Sequence, residues 1–253
     1  MRILAAALAL ALAPDAAAQV SDASGLRLDA RVTAHDQAEA PRPGIDWKLT
    51  AGVAAIDAES GERRWATPFQ LRARFNEGRT AIKISGDGYS RLRSEDGTLS
   101  GFNDVTVAVN QALTRSLIAE AGVTVPAGGE VGSEEGRERF GLIYNRALTS
   151  RWEAQARGRL THYEANPAPG VSHFRRQGLL QLAYNLDTPR SDVLLQVIRS
   201  YRPGSWQATA AGMAYERPLR EGSRPPMAAL GFTRGLTTGA HDNTYEVAFS
   251  LRF

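Results

Sequence analysis

Three observations predict an all-β chain, a transmembrane antiparallel up-and-down β-barrel of about twelve strands. Segments of about ten residues alternate apolar and polar side chains, the length a tilted strand needs to cross a bilayer. The connections between them alternate between tight and long. No apolar run reaches the ~18 residues of a membrane-spanning helix. Period-two alternation gives a strand one oily and one polar face. The mean hydropathy of −0.30 excludes a bundle of membrane helices but not a barrel, whose strands are only half apolar.

Residues 1–18 read as a signal peptide. Arg2 precedes an Ala/Leu run that ends at Pro14, and Ala16-Ala17-Ala18 precede Gln19, so cleavage is expected after Ala18. Residues 19–44 are polar and close with the turn-forming Pro41-Arg-Pro-Gly44. Leu26, Leu28, Ala30 and Val32 alternate only weakly with Arg27, Asp29 and Arg31. This stretch is expected to be a periplasmic segment or small plug, and residues 45–253 to form the barrel. The chain has no cysteine, which excludes a disulfide framework and a thiolate metal site. Its net charge is +3, and Lys48 and Lys83 are the only lysines among 30 basic residues. The positive charge is therefore almost all arginine.

The strands are expected near 46–57, 65–76, 79–89, 103–113, 116–126, 138–148, 151–163, 174–186, 191–201, 205–216, 226–235 and 244–253. Bacterial single-chain barrels have even strand numbers. The faces separate in most segments. Trp47, Leu49, Ala51 and Val53 oppose Lys48, Thr50 and Gly52, and Phe69, Leu71, Ala73 and Phe75 oppose Gln70, Arg72 and Arg74. Val105, Val107 and Val109 oppose Thr106, Ala108 and Asn110; Trp152, Ala154, Ala156, Gly158 and Leu160 oppose Glu153, Gln155, Arg157 and Arg159. The segment near 205–216 is the weakest, small on both faces.

A soluble β-sandwich alternates too, so the connections must decide. The second, fourth, sixth and eighth (Glu77-Gly78, Thr114-Arg115, Thr149-Ser150, Asp187–Arg190) are short. The third, fifth, seventh and eleventh (Ser90–Gly101, Ala127–Arg137, Glu164–Ser172, Leu236–Asn243) are longer. A membrane barrel has short turns on one rim and long loops on the other, whereas a sandwich has no reason to keep such parity. The ninth and tenth connections break the pattern. Aromatic residues near proposed strand ends, among them Trp65, Tyr89, Phe140, Trp152, Tyr163, Phe174 and Tyr245, fit interfacial girdles and fit plain β-propensity equally well.

Tyr245, Val247, Phe249, Leu251 and Phe253 alternate with Glu246, Ala248, Ser250 and Arg252 at the chain's end. Chain ends normally fray, so this strand is expected to be held on both sides. A terminal Phe on such a strand resembles the closing-strand signal of bacterial outer-membrane barrels. That resemblance implies the barrel-assembly machinery as a partner through the C-terminal strand, with outer-membrane lipid and lipopolysaccharide as surroundings. Gly101-Phe-Asn-Asp-Val-Thr-Val-Ala-Val109, followed by Ala121-Gly-Val-Thr-Val-Pro-Ala-Gly128, resembles a paired signature of the outer-membrane transporter-like family named after the meta-pathway of phenol degradation. Phe102-Asn103 replaces a second glycine region there, and Ala127 stands where Thr is common. The family implies movement of small molecules and little chemistry.

The polar faces hold Lys48, Arg72, Arg74, Lys83, Glu120, Glu153, Arg157, Arg159, Glu246 and Arg252, all expected to face the lumen. Arg or Lys toward lipid at mid-depth costs roughly 2–4 kcal/mol each. A one-residue slip would turn four arginines outward together. Two readings remain open: a cationic passage for anionic or aromatic small solutes, and a closed barrel packed with Arg–Glu pairs that acts through its surface loops. A third, rim-active lipid hydrolase would use His162 or His173 with Ser172. No catalytic motif surrounds these residues, so no enzyme is expected. His35, His162, His173 and His241 form no dense cluster of the kind a metal needs. The acidic loops Ser94-Glu-Asp-Gly97 and Gly129–Gly136 lack calcium-loop spacing. No cofactor is expected, and no nucleic acid, because the basic residues lie inside strands.

Overall fold

The computed structural model describes residues 44–57, 61–75, 79–94, 97–127, 131, 136–163, 171–186, 191–204, 206–221, 225–237 and 243–253. The expected leader, most of the 19–44 segment, His35 and His241 lie outside the described residues, as does most of the acidic stretch 129–136.

Fifteen strand segments form one sheet: β1 (Asp46–Asp57), β2 (Arg63–Ala66), β3 (Phe69–Phe75), β4 (Thr80–Gly86), β5 (Tyr89–Ser94), β6 (Gly97–Phe102), β7 (Val105–Ala112), β8 (Leu117–Val125), β9 (Arg137–Ala147), β10 (Trp152–Tyr163), β11 (Phe174–Leu186), β12 (Ser191–Arg202), β13 (Trp206–Pro218), β14 (Met227–Gly235) and β15 (Asn243–Arg252). Consecutive wall strands pair antiparallel, and β15 pairs with β1 from Lys48–Arg252 through Asp57–Asn243. The seam continues in Trp47 N–H to Phe253 O (2.9 Å) and Phe253 N–H to Trp47 O (3.0 Å). Closure removes both sheet edges. Three wall strands are each interrupted once, β2–β3 at Thr67-Pro68, β4–β5 at Asp87-Gly88 and β6–β7 at Asn103-Asp104, so the fifteen segments make twelve strands of a closed barrel.

The interruptions correct the expected third loop. Ser90–Gly101 is not a loop: most of it is the hairpin β5–β6, held to the wall by β2. Its base is a row of local breaks. Pro68 has no N–H to give the ladder. Thr67 N–H sits 3.0 Å from the carbonyls of both Asp87 and Tyr89, straddling Gly88. Gly88 has φ +58°, and a Cβ there would lie 2.5 Å from Thr67 O. Only glycine fits that bulge. Arg64 ties the break together, with Nη2 2.9 Å from Asp87 Oδ2 and 2.7 Å from Asn103 Oδ1. Asn103 in turn donates to Ser90 Oγ at 2.6 Å.

The rims differ as the parity argument requires. One rim carries the connections after β3, β7, β9 and β11, four residues each, and the exceptional eight-residue connection after β13. Two of them share a device: Thr114 Oγ1 accepts from Leu117 N–H at 3.1 Å, and Thr149 Oγ1 accepts from Trp152 N–H at 3.0 Å. Such hydroxyl caps fix a turn without help from the rest of the fold. The opposite rim carries the connections after β1, β5–β6, β8, β10, β12 and β14.

The wall is inside-out relative to a soluble protein. Leu49, Val53, Val107, Val109, Phe140, Leu182, Leu195, Val247 and Phe249 are exposed, while Thr50, Gln70, Arg72, Lys83, Asn110, Glu120, Gln181 and Gln196 are buried. A soluble monomer rarely exposes a contiguous apolar band of this extent.

Candidate functional site in the barrel lumen

In a closed barrel the buried face of the wall is the inner one, and alternation decides which residues reach it. On β8 that face carries Ile118, Glu120 and Gly122, with Ala119 and Ala121 on the other. Glu120 is the centre of the site. Its Oε2 lies 2.6 Å from Arg157 Nη2 and 3.2 Å from Lys83 Nζ. Its Oε1 lies 3.1 Å from Arg159 Nη2 and 3.7 Å from Arg139 Nε. Three strands, β4, β9 and β10, thus deliver four cations onto one carboxylate. Gly141 on β9 is the cross-strand neighbour of Glu120. Charges so buried persist only when paired and hydrogen-bonded.

The other expected residues occupy the same face in smaller groups. Arg74 Nη2 lies 3.0 Å from Asp46 Oδ2, and Arg252 Nε is 3.7 Å from the same oxygen. Lys48 stands between Arg252 and Arg72 as their cross-strand neighbour. Arg72 and Glu246 are buried, and Glu153 is half-buried at the start of β10. Of the expected residues, Lys83, Glu120, Arg157 and Arg159 are brought together.

Sequence reasoning missed several inner cations. Arg139 and Arg175 are buried, Arg137 Nη2 pairs with Asp104 Oδ2 at 2.9 Å, and Arg202 Nε donates to Ser172 O at 2.8 Å. The parity of Ile143 and Asn145 on β9 gives Arg139 and Arg137 away, but Arg137 was assigned to a loop. On β11, Phe174-Arg175-Arg176 carries charge on both faces, and only Gln177, Leu179 and Gln181 downstream fix which points in. Tyr163 is a correction. It is no girdle residue but is buried on the inner face, with the guanidinium of Arg202 4.1 Å and that of Arg137 5.4 Å from its ring centre.

The rim residues considered for hydrolysis lie close without forming a nucleophile–base pair. The rings of His162 and His173 are 6.1 Å apart, His162 Nδ1 is 3.6 Å from Glu138 Oε2, and Ser172 Oγ accepts from Phe174 N–H at 3.0 Å. Among the described residues no group of three or more His, Cys, Asp or Glu could hold a metal ion.

No protein-family model matches the chain, and no curated protein matches it. Solved structures do. An outer-membrane channel from Pseudomonas putida F1 superposes with a TM-score of 0.64 at 14% identity, covering 84% of this chain and 96% of that one. The NanC porin follows at 0.56 and 11%, covering 81% and 98%. The KdgM porin, solved in complex with disordered oligogalacturonate, reaches 0.52 and 10%, covering 81% and 99%. At such identities the likeness is one of fold, and the fold is that of outer-membrane β-barrel channels and porins.

Proposed function

We propose that this barrel lies in the outer membrane of a Gram-negative bacterium and passes small solutes, anionic ones preferentially. The carrying observation is the inner-wall cluster in which Lys83, Arg139, Arg157 and Arg159 surround the single carboxylate of Glu120. In a low-dielectric wall four cations gathered at one place attract anions and repel cations. The exposed apolar band supplies the lipid-facing surface, and the similarity to porins, one of them solved with an oligogalacturonate, supports solute passage. In this reading the tight turns and both chain ends are periplasmic, the long connections are extracellular, and β15 presents the signal read during barrel assembly. The signature around Gly101–Val109 supports placing the chain in the transporter-like family named after the meta-pathway of phenol degradation.

One observation favours a second reading. Lys83 is 1% and Glu120 and Arg157 are 3% exposed, the packing of a barrel closed at that level. Reconstitution in planar bilayers under a salt gradient separates the two. The channel reading predicts discrete conductance steps with a reversal potential of anion-selective sign. Folded protein that gives no current contradicts it and supports the closed barrel.

A further inference from the structure

We propose that the outward face of β14, β15, β1, β2 and β5 is a binding surface for the phosphate groups of lipopolysaccharide; the inference rests on the outer-membrane placement above. Register puts two rows of side chains across these strands. Phe232, Tyr245, Ala55 and Trp65 are successive cross-strand partners, and Trp65 pairs onward with Arg91. Two residues along each strand, toward the long-connection rim, run Arg234, Asn243, Asp57, Arg63 and Arg93. The rows are about 7 Å apart.

The chemistry of each row is distinct. Trp65 and Tyr245 are at least half exposed, and the Phe232 and Tyr245 rings meet at a tilt of 43° with centres 5.2 Å apart. Exposed aromatic rows mark the level where hydrocarbon gives way to headgroups. Arg91 at the end of this row, and Arg63, Arg93 and Arg234 immediately beyond it, are all exposed on the outer surface, where neither lumen nor protein core explains them. The nearby carboxylate of Asp57 lies only 3.8 Å from Arg63 Nε, with both side chains largely open to solvent, so it offsets the patch weakly. Outward arginines on the other rim, Arg146 on β9 and Arg217 on β13, lie strands apart. Four guanidiniums on neighbouring strands suit a lipid bearing more than one phosphate, because each fork can grip an oxyanion bidentately.

The test uses the full-length protein folded in detergent, titrated with purified rough lipopolysaccharide and with the same lipid after enzymatic dephosphorylation, bound lipid being counted by native mass spectrometry. The proposal predicts retention of the phosphorylated form and little of the dephosphorylated one. Replacing Arg63, Arg91, Arg93 and Arg234 together by Gln weakens binding by roughly fivefold per arginine, on the order of several hundredfold in all, while R146Q/R217Q binds like wild type. Heat-modifiable gel mobility reports folding of each variant. Equal retention of both lipid forms by the wild type means apolar adsorption alone and overturns the proposal. So does unchanged retention in the folded fourfold variant, which leaves the channel reading standing; a chain that folds in water without detergent overturns both.

Discussion

At the scale of single residues the account turns on Glu120. Four basic side chains from β4, β9 and β10 converge on it, and each was removed from water to do so. Replacing a buried ion pair wholesale by apolar groups can be neutral, but removing one partner strands the rest. Here one substitution weakens contacts to four cations at once, so Glu120→Gln is expected to cost about 3–5 kcal/mol. Urea unfolding of protein folded into lipid bilayers, compared with wild type, measures it. A change below about 1 kcal/mol would mean that other acids or water already satisfy those cations. That the residue faces inward was legible from alternation on β8; that it is the hub was not. Its partners come from positions 83, 139, 157 and 159, and convergence over such separations depends on register between strands, which spacing within a strand does not contain.

At the scale of the element, the instructive feature is the interrupted strands. The breaks at Thr67-Pro68, Asp87-Gly88 and Asn103-Asp104 lie side by side and let the β5–β6 hairpin continue beyond the wall. The expected strands 65–76 and 79–89 run straight through the first two breaks, and Ser90–Gly101 is expected as the loop that follows them. Its residues are mostly polar and turn-forming, Ser94-Glu-Asp-Gly97 above all, and the Arg64–Asp87–Asn103 bonds that bridge the break are long-range. Gly88 and Gly61 separate two costs. Both have positive φ, but a Cβ at Gly61 meets nothing within 4 Å, whereas at Gly88 it strikes the Thr67 carbonyl. Both Ala substitutions pay the left-handed backbone cost of about 1–3 kcal/mol; Gly88→Ala pays a clash in addition. The same unfolding measurement should rank Gly88→Ala clearly below Gly61→Ala, and equal losses would show that the bulge relaxes freely.

At the scale of the whole molecule, closure follows from two-sided pairing of β15. The inner face of β1 and β15 mixes the small residues Gly52, Ala54 and Ala248 with Lys48, Glu246 and Arg252, and a Cβ on Gly52 would lie 2.4 Å from Val247 O. Strand number, direction and faces were legible because lipid outside and polar groups inside impose a period of two on nearly every segment: Trp152 to Arg159 on β10 is the clearest case. The size of the lumen was not legible, since it depends on how side chains from opposite walls share one space.

The central claim, that hydrocarbon bathes one face of each strand and the protein's polar interior the other, can be measured directly because the chain contains no cysteine. Single cysteines at positions 246 to 251 of β15, each carrying a fluorophore and reconstituted in bilayers with brominated acyl chains, read the face residue by residue. The account predicts strong quenching by the lipid at 247, 249 and 251 and weak quenching at 246, 248 and 250. Uniform quenching, or the opposite alternation, would contradict it.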